Sequence, residues 1–201
     1  MKINDTYSIK NLMSTSDLDL LCDSVGLIEN KDKAIVNVGT FYGASAAALL
    51  VGMHTYNITG HLFVIDVFKY HNAGYPAIVP FRERNDVPWS DSFLNEVKIN
   101  LSPFVGNKVV EYRESFSDDV SLEHIGESSL IFLDGDHSTH GCLLDALKYS
   151  QKLVSGGHLL FHDYTNFESV RQAVSMLLQI RSCFEIGSIV EGSSIAIVKK
   201  K

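Results

Sequence analysis

The chain has little cysteine, no long apolar run and no excess of positive charge, and each shortage narrows what it can be. Its three cysteines, Cys22, Cys142 and Cys183, stand at unrelated spacings and never as Cys-x-x-Cys, so no zinc or thiol-redox motif is present. All three fall in apolar stretches and are expected as packing residues in a reducing, cytoplasmic setting. No segment approaches the roughly 20 apolar residues that span a bilayer, and Met1-Lys-Ile-Asn-Asp-Thr at the start does not read as a secretory signal. Seventeen Lys and Arg stand against 24 Asp and Glu, a formal charge of −7. A nucleic-acid partner would favour a basic face and is not expected.

What is there suits one soluble domain over 1–201. The 45% hydrophobic and 20% charged content is ordinary, and the length is enough to bury a core without disulfides. A helix is expected over 16–28, within an N-terminal helical arm 1–30, with Ser16 as its cap and Leu18, Leu21, Val25 and Leu27 on one face. The arm over 7–27 offers an apolar face to a second subunit, so a homo-oligomer is one expected assembly. Buried strands are expected over 34–38, 62–65, 109–112, 130–133 and 159–161. Helices are expected over 46–51, 91–101, 139–153 and 167–180, and a hairpin over 184–190 and 194–199 around Glu191-Gly192. Strands alternating with helices imply an α/β fold, a doubly wound, mostly parallel sheet closed by a C-terminal antiparallel hairpin. Residues 67–90 break the rhythm with Tyr70, His71, Tyr75, Phe81, Trp89 and three prolines. An insertion of that kind is expected to be an ordered lid.

Two clusters carry the chemistry. Asp134-Gly-Asp-His137 follows the apolar run 129–133. His162-Asp163-Tyr164 follows 158–161, itself preceded by Ser155-Gly156-Gly157, which reads as a turn. Neighbouring strands that end this way place carboxylates and imidazoles on the rim where open α/β sheets bind ligands. A second signal is Gly39-Thr-Phe-Tyr-Gly43-Ala-Ser45, between a strand and a helix. Glycine lets the backbone approach a ligand closely, and the helix start offers unpaired N–H groups. Asp66, ending the next strand, is placed to accept from ribose hydroxyls. The turn is not G-x-G-x-x-G and no G-K-[ST] follows, which weakens nicotinamide and P-loop readings. Alone, the turn could be a plain strand–helix connection and Asp66 a helix cap.

Together these segments resemble class I, S-adenosylmethionine-dependent methyltransferases, of Rossmann-like fold. Val36-Asn-Val-Gly-Thr-Phe-Tyr-Gly-Ala-Ser45 looks like the family's first motif and Ile65-Asp66 like its second. Phe132-Leu-Asp-Gly-Asp-His137 and Leu153-Val-Ser-Gly-Gly-His-Leu-Leu-Phe-His-Asp-Tyr164 look like the fourth- and fifth-strand motifs of small-molecule O-methyltransferases of the macrocin and mycinamicin sugar type. The resemblance covers roughly 31–200 and implies S-adenosylmethionine as cofactor and a small-molecule hydroxyl as acceptor. It implies cofactor contacts at Asn37, Gly39, Thr40, Phe41, Gly43, Ser45, Asp66, Glu114, Ser115 and Asp134. Asn37 replaces the acid common at its position.

Methyl transfer from a sulfonium to a hydroxyl needs the proton removed by a base or its pKa lowered by a cation. By resemblance His137 stands where the base would, with Asp134 and His162 beside it as catalytic candidates. The metal-dependent relatives bind magnesium at positions that here hold Asp134, His162 and Asp163, so Mg²⁺ or another divalent cation is a second candidate cofactor. Imidazole suits zinc or iron better than magnesium, and His162 could instead pair with Asp134 without any metal. Asp136 orients His137 or caps a loop; Tyr164 lines the acceptor pocket or packs. His54, His61, His124, His140 and His158 are expected in ordinary surface or core roles. A nicotinamide oxidoreductase and a non-catalytic nucleotide-binding module are the competing readings.

Overall fold

Two runs, Ala34–Val38 (β1) and Ser128–Leu133 (β4), are buried at every position, as strands covered on both faces must be. They are neighbours at the centre of a seven-stranded sheet. With Leu62–Asp66 (β2), Val110–Glu114 (β3), Leu153–Phe161 (β5), Phe184–Ile189 (β6) and Ala196–Lys200 (β7), the order is β3-β2-β1-β4-β5-β7-β6. The first five strands in that order run parallel. β7 pairs antiparallel with β5, and β6 with β7. The computed structural model describes residues 2–69 and 89–201; the expected lid over 67–90 falls, from Tyr70 to Pro88, outside the described residues.

Helices Thr15–Ser24 (α1), Ala44–Thr55 (α2) and Leu94–Val105 (α3) cover one face, and Thr139–Tyr149 (α4) and Glu168–Ile180 (α5) the other. The sheet is therefore doubly wound, and the strand order reverses between β1 and β4. The crevice outside the carboxyl ends of those two strands is where such sheets bind ligands. α2 is buried at every residue from Ala44 to Met53. Its small side chains let it lie between the sheet and α1. α5 instead buries Val170, Ala173, Val174 and Leu177, the spacing of a helix with one wet face.

Several expected boundaries move. α1 starts one residue earlier, at Thr15. Ser14, not Ser16, is the cap, its hydroxyl accepting from Asp17 N while Asp17 accepts from Ser14 N, a reciprocal capping box. α1 ends at Ser24 and a short 3₁₀ turn follows, so Leu18, Leu21 and Val25 are buried but Leu27 is exposed. The buried face of the arm packs against α2 within the same chain. Ser155-Gly156-Gly157 is not a turn. It lies inside β5, where pairing with β4 jumps from Ser128↔Leu153 to Leu130↔His158, a bulge-like irregularity that glycine permits. Of the cysteines, Cys22 and Cys142 are buried, but Cys183, just beyond α5, is exposed. Among the described residues no helix is long and apolar enough to cross a membrane.

Candidate active site

The exits of β1 and β4 are pressed together. Asp134 N donates to Val38 O at 2.8 Å, and Gly39 N donates to Ile65 O at 2.8 Å. Gly39 has φ +78, and a Cβ there would fall well inside the Asp134 carbonyl. Only glycine fits both the angle and the space. Phe41 (φ 50) and Gly43 (φ 101) also turn through the left-handed region, which delivers the chain to α2. That helix begins without a side-chain cap, leaving first-turn amides for a ligand.

Asp66 faces this turn. Its Oδ2 accepts from Thr40 N at 2.8 Å and Phe41 N at 2.9 Å, and its Oδ1 from Phe68 N at 2.8 Å. Burial pushes its carboxyl up, and the three amide donors pull the other way. These are the bonds of a loop anchor rather than of a helix cap; Oδ2 has both lone pairs engaged, and Oδ1 keeps one able to accept from a hydroxyl. Asn37 is fully buried in β1. Its Nδ2 donates to Ser45 Oγ at 3.0 Å, and Ser45 Oγ lies 3.2 Å from Thr40 Oγ1. Asn37 Oδ1 has no hydrogen-bond partner. An orphaned buried acceptor costs about 1–3 kcal/mol, a deficit that a ligand's ammonium group would relieve. Ser115 N donates to Asp66 O at 3.0 Å, and Glu114 is 3.8 Å from Lys69 Nζ, so both sit beside Asp66.

The carboxylates and imidazoles meet at the ends of β4 and β5. His162 Nδ1 is 2.8 Å from Asp134 Oδ1 and 3.5 Å from Asp163 Oδ2. His137 Nε2 is 2.9 Å from Asp163 Oδ2 and 3.4 Å from Asp134 Oδ1. One ligand atom from each of the four lies within 4.8 Å of the others. Asp163 reaches inward because its backbone takes φ 58, uncommon for a non-glycine residue. Burial works against charge on both rings, but the facing carboxylates outweigh it: Asp134 and Asp163 lift His137 to about 9, and Asp134, Asp163 and Asp17 lift His162 to about 12. Asp134 and Asp163 are held below the usual carboxylate range by the same imidazoles, against the penalty of burial.

Sequence reasoning missed Asp17. It is 4% exposed, and its Oδ2 lies 3.6 Å from His162 Nε2. Its Oδ1 accepts from Ser193 Oγ, Ser194 N and Ser194 Oγ at 2.7, 2.6 and 3.1 Å. The one local signal, Ser14-x-x-Asp17, explains it fully as a helix cap. Asp136 takes the loop role: its Oδ1 accepts from Ser138 N at 2.7 Å, and Ser138 caps α4. Tyr164 is partly buried against the apolar cluster under α5. His54 lies against the Phe104 and Val105 carbonyls, His61 pairs with Glu111 at 3.0 Å, and His158 is buried within β5. None of these three joins the cluster. A groove of about 790 Å³ along α3, lined by Ile9, Lys10, Tyr42, Glu96 and Asn100, contains none of the cluster residues either.

The fold has solved counterparts. The O-methyltransferase NovP superposes with a TM-score of 0.73 at 15% identity, over 95% of this chain and 83% of that one. The S-adenosylhomocysteine-bound methyltransferase PaMTH1 of Podospora anserina gives 0.68 at 12%, over 99% and 86%. An rRNA methylase from Streptococcus thermophilus gives 0.59 at 12%, over 96% and 99%. Among curated proteins none matches. A family model described as a methyltransferase domain spans residues 36–164, from the glycine turn through the whole acid–imidazole rim; with that match over more than half its length, on a class I methyltransferase fold, the chain belongs to the methyltransferase domain family.

Proposed function

We propose that this chain moves the methyl group of S-adenosylmethionine to a hydroxyl of a small organic acceptor. One observation carries the reading. The Asp134 carbonyl lies against Gly39, so the glycine turn and the acid–imidazole rim are one site rather than two. The Asn37 Oδ1 orphan fits the cofactor's amino group, Asp66 its ribose, and Glu114 and Ser115 its adenine side. Thr40, Phe41, Gly43 and Ser45 shape the backbone around the methionine part. The formal charge of −7 favours a small acceptor over RNA, and NovP, similar in fold, is an O-methyltransferase.

His137 is the base. It takes the acceptor's proton at Nε2 while the oxygen's electron pair forms the new O–C bond and the C–S bond breaks toward sulfur. Its proton affinity comes from Asp134 and Asp163. A cation held by those carboxylates would offset their pull on the ring and leave His137 free to accept a proton near neutral pH. Phe167, 5.1 Å from the His137 ring, shields one side of it from water.

The rim fits a divalent cation. Two ligand atoms about 2.1 Å from an ion and at right angles are about 3.0 Å apart, and His162 Nδ1 stands 2.8 and 3.5 Å from its two carboxylate neighbours. His137 Nε2 is buried and lies close to two carboxylates, yet makes no aligned hydrogen bond. Asp134, His162 and Asp163 would hold the ion. Its chemistry, when bound, is to lower the acceptor hydroxyl's pKa and fix the oxygen's position.

The test is turnover. The protein, with S-adenosylmethionine and a panel of sugar and phenolic hydroxyl compounds, should release S-adenosylhomocysteine and a product heavier by one methylene. His137→Ala and Asp134→Asn should each cut the rate at least 100-fold. Unchanged turnover in both would remove the assigned chemistry.

A further inference from the structure

Asp17 and Asp134 stand on opposite sides of the His162 ring. His162 is 5% exposed, with Nδ1 turned into the rim cluster and Nε2 turned to Asp17 Oδ2 at 3.6 Å without an aligned hydrogen bond. Asp17 comes from the far end of the chain and is fixed before it meets His162. Five donors from Ser14, Ser193 and Ser194 bind it. Neither capping α1 nor anchoring the 193–194 segment requires a histidine at its remaining side. A metal-ligating histidine, by contrast, almost always gives its second ring N–H to a carboxylate, a backbone carbonyl or water, which fixes the tautomer and raises the ligand's basicity.

We infer that Asp17 is a positioning residue for a cation site made by Asp134 Oδ1, His162 Nδ1 and Asp163 Oδ2, and that this site takes an imidazole-seeking divalent ion, of the zinc, cobalt(II) or iron(II) class, in preference to magnesium. The inference deepens the function proposed above and rests on it for the ion's use, though not for its binding. The charge of the site supports it. Asp134, Asp163 and Asp17 supply three negative charges around a neutral imidazole, as three direct carboxylates would, but one ligand is now nitrogen. Magnesium prefers an all-oxygen octahedron, whereas imidazole raises affinity along the later first-row ions. Three protein ligands and an open position are also the pattern of catalytic zinc. A second observation points the same way. His137 Nε2, buried and without a hydrogen bond, is aimed into the same space.

The experiment starts from full-length protein stripped of divalent ions by a chelator. Cobalt(II) titration should give visible ligand-field bands at one equivalent, and competition against a chelating dye should show zinc bound at least 100-fold more tightly than magnesium. Nitrogen-15 spectra of the zinc-loaded wild type should show His162 metallated at Nδ1 and protonated at Nε2. Asp17→Asn should weaken zinc and cobalt(II) about 10–100-fold with little change for magnesium, and His162→Asp should shift the preference toward magnesium. Absent cobalt bands, magnesium bound as tightly as zinc, the opposite His162 tautomer, or unchanged affinity in a folded Asp17→Asn would each overturn the inference. The wild-type readouts stand even if Asp17→Asn fails to fold. S-adenosylhomocysteine binding measured in parallel separates a failure here from a failure of the methyltransferase reading.

Discussion

The backbone carbonyl of Asp134 occupies the space where residue 39 would carry a Cβ. Gly39→Ala must therefore push β1 and β4 apart at their exits while forcing alanine to φ +78. Overpacking of this kind costs about 1–3 kcal/mol, and the left-handed angle adds to it. Denaturant unfolding should show that loss. S-adenosylhomocysteine affinity should fall at least tenfold, because in the proposed function the displaced turn cradles the cofactor. A variant as stable as wild type would mean the two strands are not locked at this point.

Asp66 anchors the same turn from the side. Asp66→Asn keeps the size but replaces one acceptor oxygen by an NH₂ group facing either Thr40 and Phe41 or Phe68. At least one buried amide loses its partner, at about 1–3 kcal/mol. Thermal unfolding should show the destabilisation, with weaker S-adenosylhomocysteine binding beside it. Full stability with lost binding would assign Asp66 to the ligand alone.

The raised pKa of His137 fixes the sign of a pH effect on stability after divalent ions are removed. Its value rises from 6.5 to about 9 in the folded protein. The stabilisation it gives is complete below 6.5 and disappears as pH climbs through 9. Its ceiling is about 3 kcal/mol. His162, raised to about 12, loses its own stabilisation over the same range and beyond, but it is present in wild type and variant alike and cancels in their difference. The Tm difference between wild type and His137→Gln should be largest at pH 6 and close by pH 9.5. A difference independent of pH would show that the ring is held by packing rather than by Asp134 and Asp163.

Asp145 behaves in the opposite sense to the cluster's carboxylates. It is 4% exposed on α4, beneath Gly135 and beside Cys142. Burial, assisted by Asp136 and Asp118, raises its carboxyl from 3.8 to about 7, against a hydrogen bond from Ser117. A carboxyl raised on folding favours the fold most at low pH, and that advantage is lost between 3.8 and 7. Asp145→Asn should therefore stabilise the protein at pH 8, by at most about 4 kcal/mol, and change little at pH 4. Scanning calorimetry at the two values decides it; equal shifts would deny the ionisation penalty.

How far the sequence could be read depends on whether the signal was local. β1, β4 and the carboxyl end of β5 were legible because strands covered on both faces must be apolar throughout. The candidate positions 39, 66, 134, 162 and 163 came with them, since each lies at or just past a strand end, and His137 follows in the loop after β4. The expected cap, Ser16, gives way to Ser14 because Ser14…Asp17 and Ser16…Asp19 both fit a capping box. Packing chose the first, and Asp19 instead accepts from the Tyr7 hydroxyl at 2.5 Å. Ser155-Gly156-Gly157 looked like a turn because a bulge inside a strand uses the same residues. The contact between Asp17 and His162 had no local trace at all. It exists only once α1, β5 and the segment before β7 are packed together.

The central claim is that the glycine turn and the rim beside it cradle the methyl donor. Isothermal titration of S-adenosylhomocysteine into the full chain tests it most directly. The account predicts saturable heat at one ligand per chain, displaced by S-adenosylmethionine and lost in Gly39→Ala under conditions where that variant remains folded. No heat from the folded wild type, or binding untouched by that substitution, would contradict it.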